Sequence, residues 1–315
     1  MDRGECIINV EGLTKKYGDF LAVDNISFCV RRGEIFGFLG PNGAGKTTTV
    51  RMLCGLTKVT SGRIIIDGYD AVRNPRKIKG LIGVVPDTPN LYWELTCLDN
   101  LLFSGEMYGI PRDERRERAE ELLRFFGLWE KRNVKFKNLS RGLKKRLSIA
   151  AALIHNPRIV FMDEPTTGLD IMSKRLLWNR ILELREKDKI TIFLTTHNVR
   201  EAFEICDRVA IIVRGRIAVI GEPWELRKMF SAEGIIEVSF RPSNPNINEL
   251  TKLPGVVKVD RRGGIIRIIT SNTVATLEKL ASYASSRGLD IYSLSLRGVD
   301  AEDLFIKIVG GHDAH

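Results

Sequence analysis

Glu34-Ile35-Phe36-Gly37-Phe38-Leu39-Gly40-Pro41-Asn42-Gly43-Ala44-Gly45-Lys46-Thr47-Thr48 changes character twice within a short span. Glu34 to Leu39 reads as a buried strand, Gly40 to Gly45 as a glycine-rich loop, and Lys46 to about Cys54 as a helix. The loop fits the spacing G-x-x-x-x-G-K-[ST], and strand before and helix after are the context that spacing requires. Glycines there let backbone N–H groups converge on phosphates, and the helix N-terminus adds its positive end. Lys46 then reaches the β- and γ-phosphates and Thr47 can ligate Mg²⁺. Gly40, Pro41, Asn42, Gly43, Ala44, Gly45, Lys46, Thr47 and Thr48 are therefore the candidate nucleotide contacts. A glycine-rich turn that merely precedes Lys-Thr is the competing reading, and the strand and helix on either side speak against it.

Downstream, Ile159-Val160-Phe161-Met162-Asp163-Glu164 is an apolar strand ending in two carboxylates. If it lies in the same parallel sheet, its acids emerge at the carboxyl edge where the phosphate loop also lies. Asp163 is suited to hold Mg²⁺ through water, and Glu164 to orient or deprotonate an attacking water. A charged strand end facing solvent is the plainer alternative.

Further strands are expected at Thr191 to Thr195 and Val209 to Val213, separated by helices over Ile171 to Lys187 and Val199 to Ile205. Strands alternating with helices imply a parallel sheet covered on both faces. Before the phosphate loop, Ile7-Ile8-Asn9-Val10 and Ile26-Ser27-Phe28-Cys29-Val30 alternate as a short antiparallel sheet, with turns at Tyr17-Gly18-Asp19 and Arg31-Arg32-Gly33. From about residue 87 to 152 the pattern is helical: Thr96 to Tyr108, Asp113 to Phe126 and Ser140 to Ile154. After Trp224-Glu225-Leu226 the pattern resets to β-α-β-β-α-β, a ferredoxin-like order, and a last helix is expected over Ala301 to Val309. The expected fold is thus α/β: a P-loop NTPase core with an N-terminal antiparallel β subdomain and a helical insertion, residues 1–230, and a small ferredoxin-like α+β domain, residues 231–315.

Composition agrees with two domains. A chain of 315 residues with 43% hydrophobic side chains is long enough for two cores at about 150 residues per domain. Lys and Arg number 49 against 39 Asp and Glu. From Ser231 onward the signs balance at ten each, so the net +10 resides in the front part. A basic front suits nucleic acid, an anionic membrane surface or phosphate substrates, although a charge-rich solvated surface is the simpler account. Cys6, Cys29, Cys54, Cys97 and Cys206 are scattered with no C-x-x-C pair, which argues for unpaired thiols in a reducing cytosol rather than a disulfide framework or a zinc site. The four histidines form no metal cluster on the sequence, and no stretch has the length and apolarity of a membrane-spanning helix.

Taken in order, the motifs resemble those of the nucleotide-binding subunit of an ABC transporter. Leu139-Ser140-Arg141-Gly142-Leu143 followed by Lys144-Lys145-Arg146 resembles the signature loop and its basic helix; Gly168-Leu169-Asp170 resembles the D-loop. His197 resembles the switch histidine, and Tyr17 in Lys16-Tyr17-Gly18 the aromatic that stacks on adenine. Alone, Tyr17 reads as a turn aromatic, His197 as a core histidine and Ser140 as a helix cap; their order around one phosphate loop raises them. Two positions depart from the family. Arg141 and Leu143 replace Gly and Gln, while Ser140 and Gly142 are kept; Pro86-Asp87 stands where the family has a metal-contacting Gln, so Asp87 keeps an oxygen ligand and loses an amide donor. Lys144-Lys145-Arg146 is expected to be a solvated helix face.

The resemblance implies an ATP-hydrolysing subunit that uses Mg²⁺, works as a head-to-tail homodimer, and serves a separately encoded transmembrane permease at the cytoplasmic face of the cell membrane. One chain would supply Lys46, Thr47, Asp87, Asp163, Glu164 and His197, and the other Ser140 and Gly142. The tail and the signature variation resemble the type-2 exporter branch serving multidrug, antibiotic or sodium export. The competing reading is a non-transport ABC ATPase acting on nucleic acid or the ribosome; such proteins usually carry two cassettes or a long coiled-coil insertion, and this chain shows neither. A P-loop GTPase is weaker, because no Asn-Lys-x-Asp motif is present.

Overall fold

The computed structural model describes residues 5–230, 234–242, 245–297, 305, 306 and 308. They fall into two compact units, Met1–Gly221 and Glu222–His315. The first opens with β1 (Cys6–Tyr17), β2 (Phe20–Arg31), β3 (Ile35–Leu39), α1 (Lys46–Leu53), β4 (Ser61–Ile66), β5 (Tyr69–Asp70), α2 (Pro75–Leu81) and β6 (Ile82–Val85). Three helices follow, α3 (Cys97–Met107), α4 (Arg112–Phe125) and α5 (Arg141–Leu153). The unit closes with β7 (Ile159–Asp163), α6 (Ile171–Asp188), β8 (Thr191–Thr196), α7 (Val199–Ile205), β9 (Arg208–Val213) and β10 (Arg216–Gly221).

Two sheets make this unit. One is antiparallel in the order β2-β1-β4-β5; the other has six strands in the order β10-β9-β3-β8-β7-β6. Alternation in β1 and β2 turns Ile8, Val10, Val23, Ile26, Phe28 and Val30 inward. Phe28 meets Phe36, Phe38 and Phe193 of the second sheet at ring separations of 5.7, 5.7 and 6.0 Å. This aromatic cluster joins the two sheets, and tilted or offset ring pairs at such distances add to simple burial. β3, β7 and β8 are buried along their whole length, as strands covered on both faces must be.

Two expectations need correction. The sheet is not wholly parallel, because β10 runs antiparallel to β9. Arg214 and Gly215 join them with φ of 48° and 81°, the backbone of a two-residue hairpin turn, and such a turn leaves only an antiparallel return. The cysteines are not all unpaired either. Cys6 and Cys29 lie 23 residues apart in sequence, yet the β1–β2 pairing brings their Cα atoms to 5.7 Å and they form a disulfide. Cys54, Cys97 and Cys206 are free and buried.

The second unit contains α8 (Pro223–Phe230), β11 (Gly234–Arg241), α9 (Ile247–Leu250), β12 (Val256–Arg262), β13 (Ile265–Thr270), α10 (Thr273–Ser286) and β14 (Asp290–Arg297). Its antiparallel sheet has the order β12-β13-β11-β14. Ile236, Val238, Phe240, Ile266 and Ile268 form a core with Leu250, Leu280, Tyr283 and Ala284 of the helices. Of the helix expected over 301–309, Phe305, Ile306 and Ile308 are helical and the remainder lies outside the described residues. Among the described residues no helix is long and apolar enough to cross a membrane.

Candidate active site

Four neighbouring strands, β3, β8, β7 and β6, run parallel with Leu39 opposite Thr196, Thr195 opposite Asp163, and Met162 opposite Val85. Strands in that register release their chains at one edge, the carboxyl edge where α/β sheets place ligands. The phosphate loop follows β3, His197 follows β8, Asp163 and Glu164 end β7, and Pro86-Asp87 follows β6.

The loop needs its glycines for conformation and for closeness. Gly45 has φ 104°, and a Cβ there would stand 2.6 Å from the Ala22 carbonyl oxygen; a Cβ on Gly40 would run into the Ile212 carbonyl. Lys46 is buried at the head of α1. Its ammonium donates to the carbonyls of Gly40 at 2.7 Å and Pro41 at 3.1 Å, and lies 3.4 Å from Glu164 Oε1.

Glu164 stands at φ 46°, a left-handed conformation that non-glycine residues seldom adopt and that clusters at functional sites. His197 Nδ1 is 2.9 Å from Glu164 Oε2, which also accepts from the Thr167 hydroxyl at 3.1 Å. Thr195, fully buried, holds both acids: its hydroxyl donates to Asp163 Oδ1 and accepts from the Glu164 backbone N–H at 3.2 Å. Thr195 is not among the residues the motifs single out, although a threonine pair ending an otherwise apolar strand is a signal for it.

A cleft of about 340 Å³ is lined by Phe20, Ala22, Asn42, Gly43, Gly45, Lys46, Thr47, Thr48, Asp87 and Glu164. Asp87 reaches this cleft through the β6–β7 pairing, which no local sequence pattern displays.

Tyr17 is half-exposed at the end of β1, with the Lys15 ammonium 4.6 Å from its ring centroid; the aromatic in the cleft lining is Phe20, three residues on, which no motif marks. Ser140 caps α5, accepting from the Leu143 N–H at 3.4 Å, and Gly142 packs against Ser173. Neither lines the cleft of its own chain. Lys145 corrects the expectation of a solvated basic face. It is 3% exposed, and its ammonium donates to the carbonyls of Pro86 at 3.1 Å and Asp87 at 2.9 Å. Burial holds its pKa below the usual lysine range, against the pull of Asp87, Asp163 and Glu164. Lys144 lies over the rings of Trp93 and Phe136, and Arg146 donates to the Phe126 carbonyl.

Residues 23–167 match the family described as ABC transporter. Over 314 residues the chain is 33% identical to a linearmycin resistance ATP-binding protein of Bacillus subtilis, covering 96% of this chain and 98% of that one. The chain belongs to the ABC transporter ATP-binding proteins. A second such protein, a Nod factor export ATP-binding protein of Ralstonia nicotianae, is 36% identical, covering 96% of this chain and 94% of its own. Among solved structures, cbiO1 of Clostridium perfringens, part of the ABC transporter complex cbiONQ, aligns with a TM-score of 0.66 and 31% identity over 71% of this chain and 94% of that one. A dimeric ATP-binding cassette in a post-hydrolysis state, bound to ADP and Pi, aligns at 0.62 with 28% identity over 69% and 98%. This ABC protein is thus an ATP-hydrolysing subunit of the export type, with the P-loop NTPase fold. Nothing in these relatives favours an ATPase acting on nucleic acid or the ribosome.

Proposed function

We propose that this ABC subunit drives export through a separately encoded transmembrane permease, bound at the cytoplasmic face of the cell membrane, and that it does so as a head-to-tail homodimer. The observation that carries the site assignment is Glu164 held between His197 at 2.9 Å and Lys46 at 3.4 Å at the mouth of the phosphate loop. Glu164 orients the attacking water, His197 fixes the Glu164 carboxylate, and Lys46 leaves the loop carbonyls for the β- and γ-phosphates when nucleotide enters. The loop N–H groups of Asn42 to Thr48 cradle the phosphates, and Tyr17 stacks on adenine.

Thr47, Asp87 and Asp163 would hold Mg²⁺. Their donors are all oxygen, and among the described residues no three His, Cys, Asp or Glu side chains converge on one point. That set suits an ion that takes one or two protein oxygens and completes its shell with phosphate and water. When bound, the ion neutralises charge on the transferring phosphate.

Ser140 and Gly142 stand outside their own chain's cleft, which supports their contributing to the partner's nucleotide across the dimer. Residues 231–315 form an accessory domain of the ferredoxin-like class, a reading supported by the strand order β12-β13-β11-β14. The test is Glu164→Gln: it binds ATP with Mg²⁺, fails to turn over, and elutes from a sizing column as an ATP-dependent dimer. A variant that stays monomeric with ATP sinks either the dimer or the role of Glu164, and its residual turnover tells which.

A further inference from the structure

A lysine ammonium on the inner face of a helix is unfavourable there unless it holds something, because a methionine or leucine would fill the same space without desolvating a charge. Lys145 is such a lysine. Its two hydrogen-bonded partners are successive backbone carbonyls, Pro86 and Asp87, at the corner where the chain leaves β6. Pro86 has no N–H with which to anchor that corner itself. Asp87 lines the cleft beside Lys46, Thr47 and Glu164.

We propose that Lys145 is a positioning residue for Asp87: by gripping both carbonyls of the corner, it sets where the Asp87 carboxylate stands in the nucleotide cleft. The role rests on the reading of Asp87 as an oxygen donor on the metal side of that cleft. It acts through hydrogen bonds, so an uncharged donor of similar reach can replace it. The attraction of Asp87, Asp163 and Glu164 for the ammonium keeps it seated against the desolvation that opposes its charge.

The test is a double-mutant cycle on the full chain, read as Mn²⁺ binding by electron paramagnetic resonance with AMP-PNP present, so that no turnover is needed. Lys145→Met weakens Mn²⁺ binding about three- to tenfold, the loss of one or two net hydrogen bonds, and leaves metal-free AMP-PNP affinity unchanged. Lys145→Gln, which offers two N–H donors one bond nearer the backbone, restores part of the loss. Asp87→Ala weakens Mn²⁺ binding alone, and adding Lys145→Met weakens it no further, since both act through one carboxylate. If Lys145→Met does not fold, Lys145→Ala takes its place in the cycle. Losses that multiply in the double variant, or normal Mn²⁺ binding in the Lys145 variants beside a weakened Asp87→Ala, overturn the positioning role alone. Normal Mn²⁺ binding in Asp87→Ala overturns the assignment of Asp87 and the positioning role with it.

Discussion

Thr195 shows how much of this site depends on side chains that no motif includes. One hydroxyl donates to Asp163 and accepts from the Glu164 N–H, so both acids at the end of β7 are aligned by a residue on β8. Replacing it with valine keeps the shape and the buried β-branched packing, removes the link to Asp163, and leaves the Glu164 N–H only the Thr195 backbone carbonyl at 3.2 Å. Thr195→Val therefore lowers kcat about tenfold, equivalent to about 1.4 kcal/mol of barrier, while ATP affinity measured with a fluorescent analogue stays near wild type. A variant with normal turnover would show that the backbone of β8 suffices to place the acids. Lys145 teaches the same lesson from the other side: its position in a basic run suggests solvent, and its burial follows from which face of α5 meets the corner after β6.

Between elements, turns carry ties that the strands cannot. The β4–β5 turn presents Asp67, whose carboxylate accepts from Arg32 at 2.7 Å and from Arg158, joining the turn before β3 and the approach to β7. Burial alone would raise the Asp67 pKa, but the hydrogen bonds from Arg32 and Arg158 more than reverse it, and the carboxyl sits below its ordinary range. A carboxyl with a depressed folded pKa gives stability that is fully present above the unfolded value of about 3.9 and is lost as pH falls through the folded one. Asp67→Asn keeps a side chain tolerated at the left-handed φ of 48°. It lowers Tm at pH 7 by about 2–4 °C, and scanning calorimetry should find the gap from wild type closing as the pH drops below about 4. A gap constant with pH would mean the tie acts through packing alone. Helix α5 is the other shared element, with Ser140 at its N-cap and Lys145 on the corner that bears Asp87.

Two cores that each close on their own residues imply two units that fold separately. The first is built around the phenylalanine cluster between its sheets, and the second around β11, β13 and α10. A fragment ending at Phe230, the first unit with α8 of the second attached, is expected to be soluble and to bind ATP, with circular dichroism and nucleotide titration as the checks; insoluble protein without ATP binding would show that the first unit needs the rest of the second. Much of this organisation is legible in the amino-acid order. The phosphate loop, the Asp163-Glu164 strand end and helices such as Val199–Ile205 are local patterns, each written in consecutive residues by glycine placement, apolar periodicity and caps. Strand adjacency is not local. That β6 lies beside β7, bringing Asp87 to the cleft, that Cys6 meets Cys29, and that Lys145 is buried all depend on which surfaces pack together. Residues far apart in the chain acquire those neighbours only when the sheets close, because pairing partners are chosen by the burial of whole faces rather than by any short run of sequence.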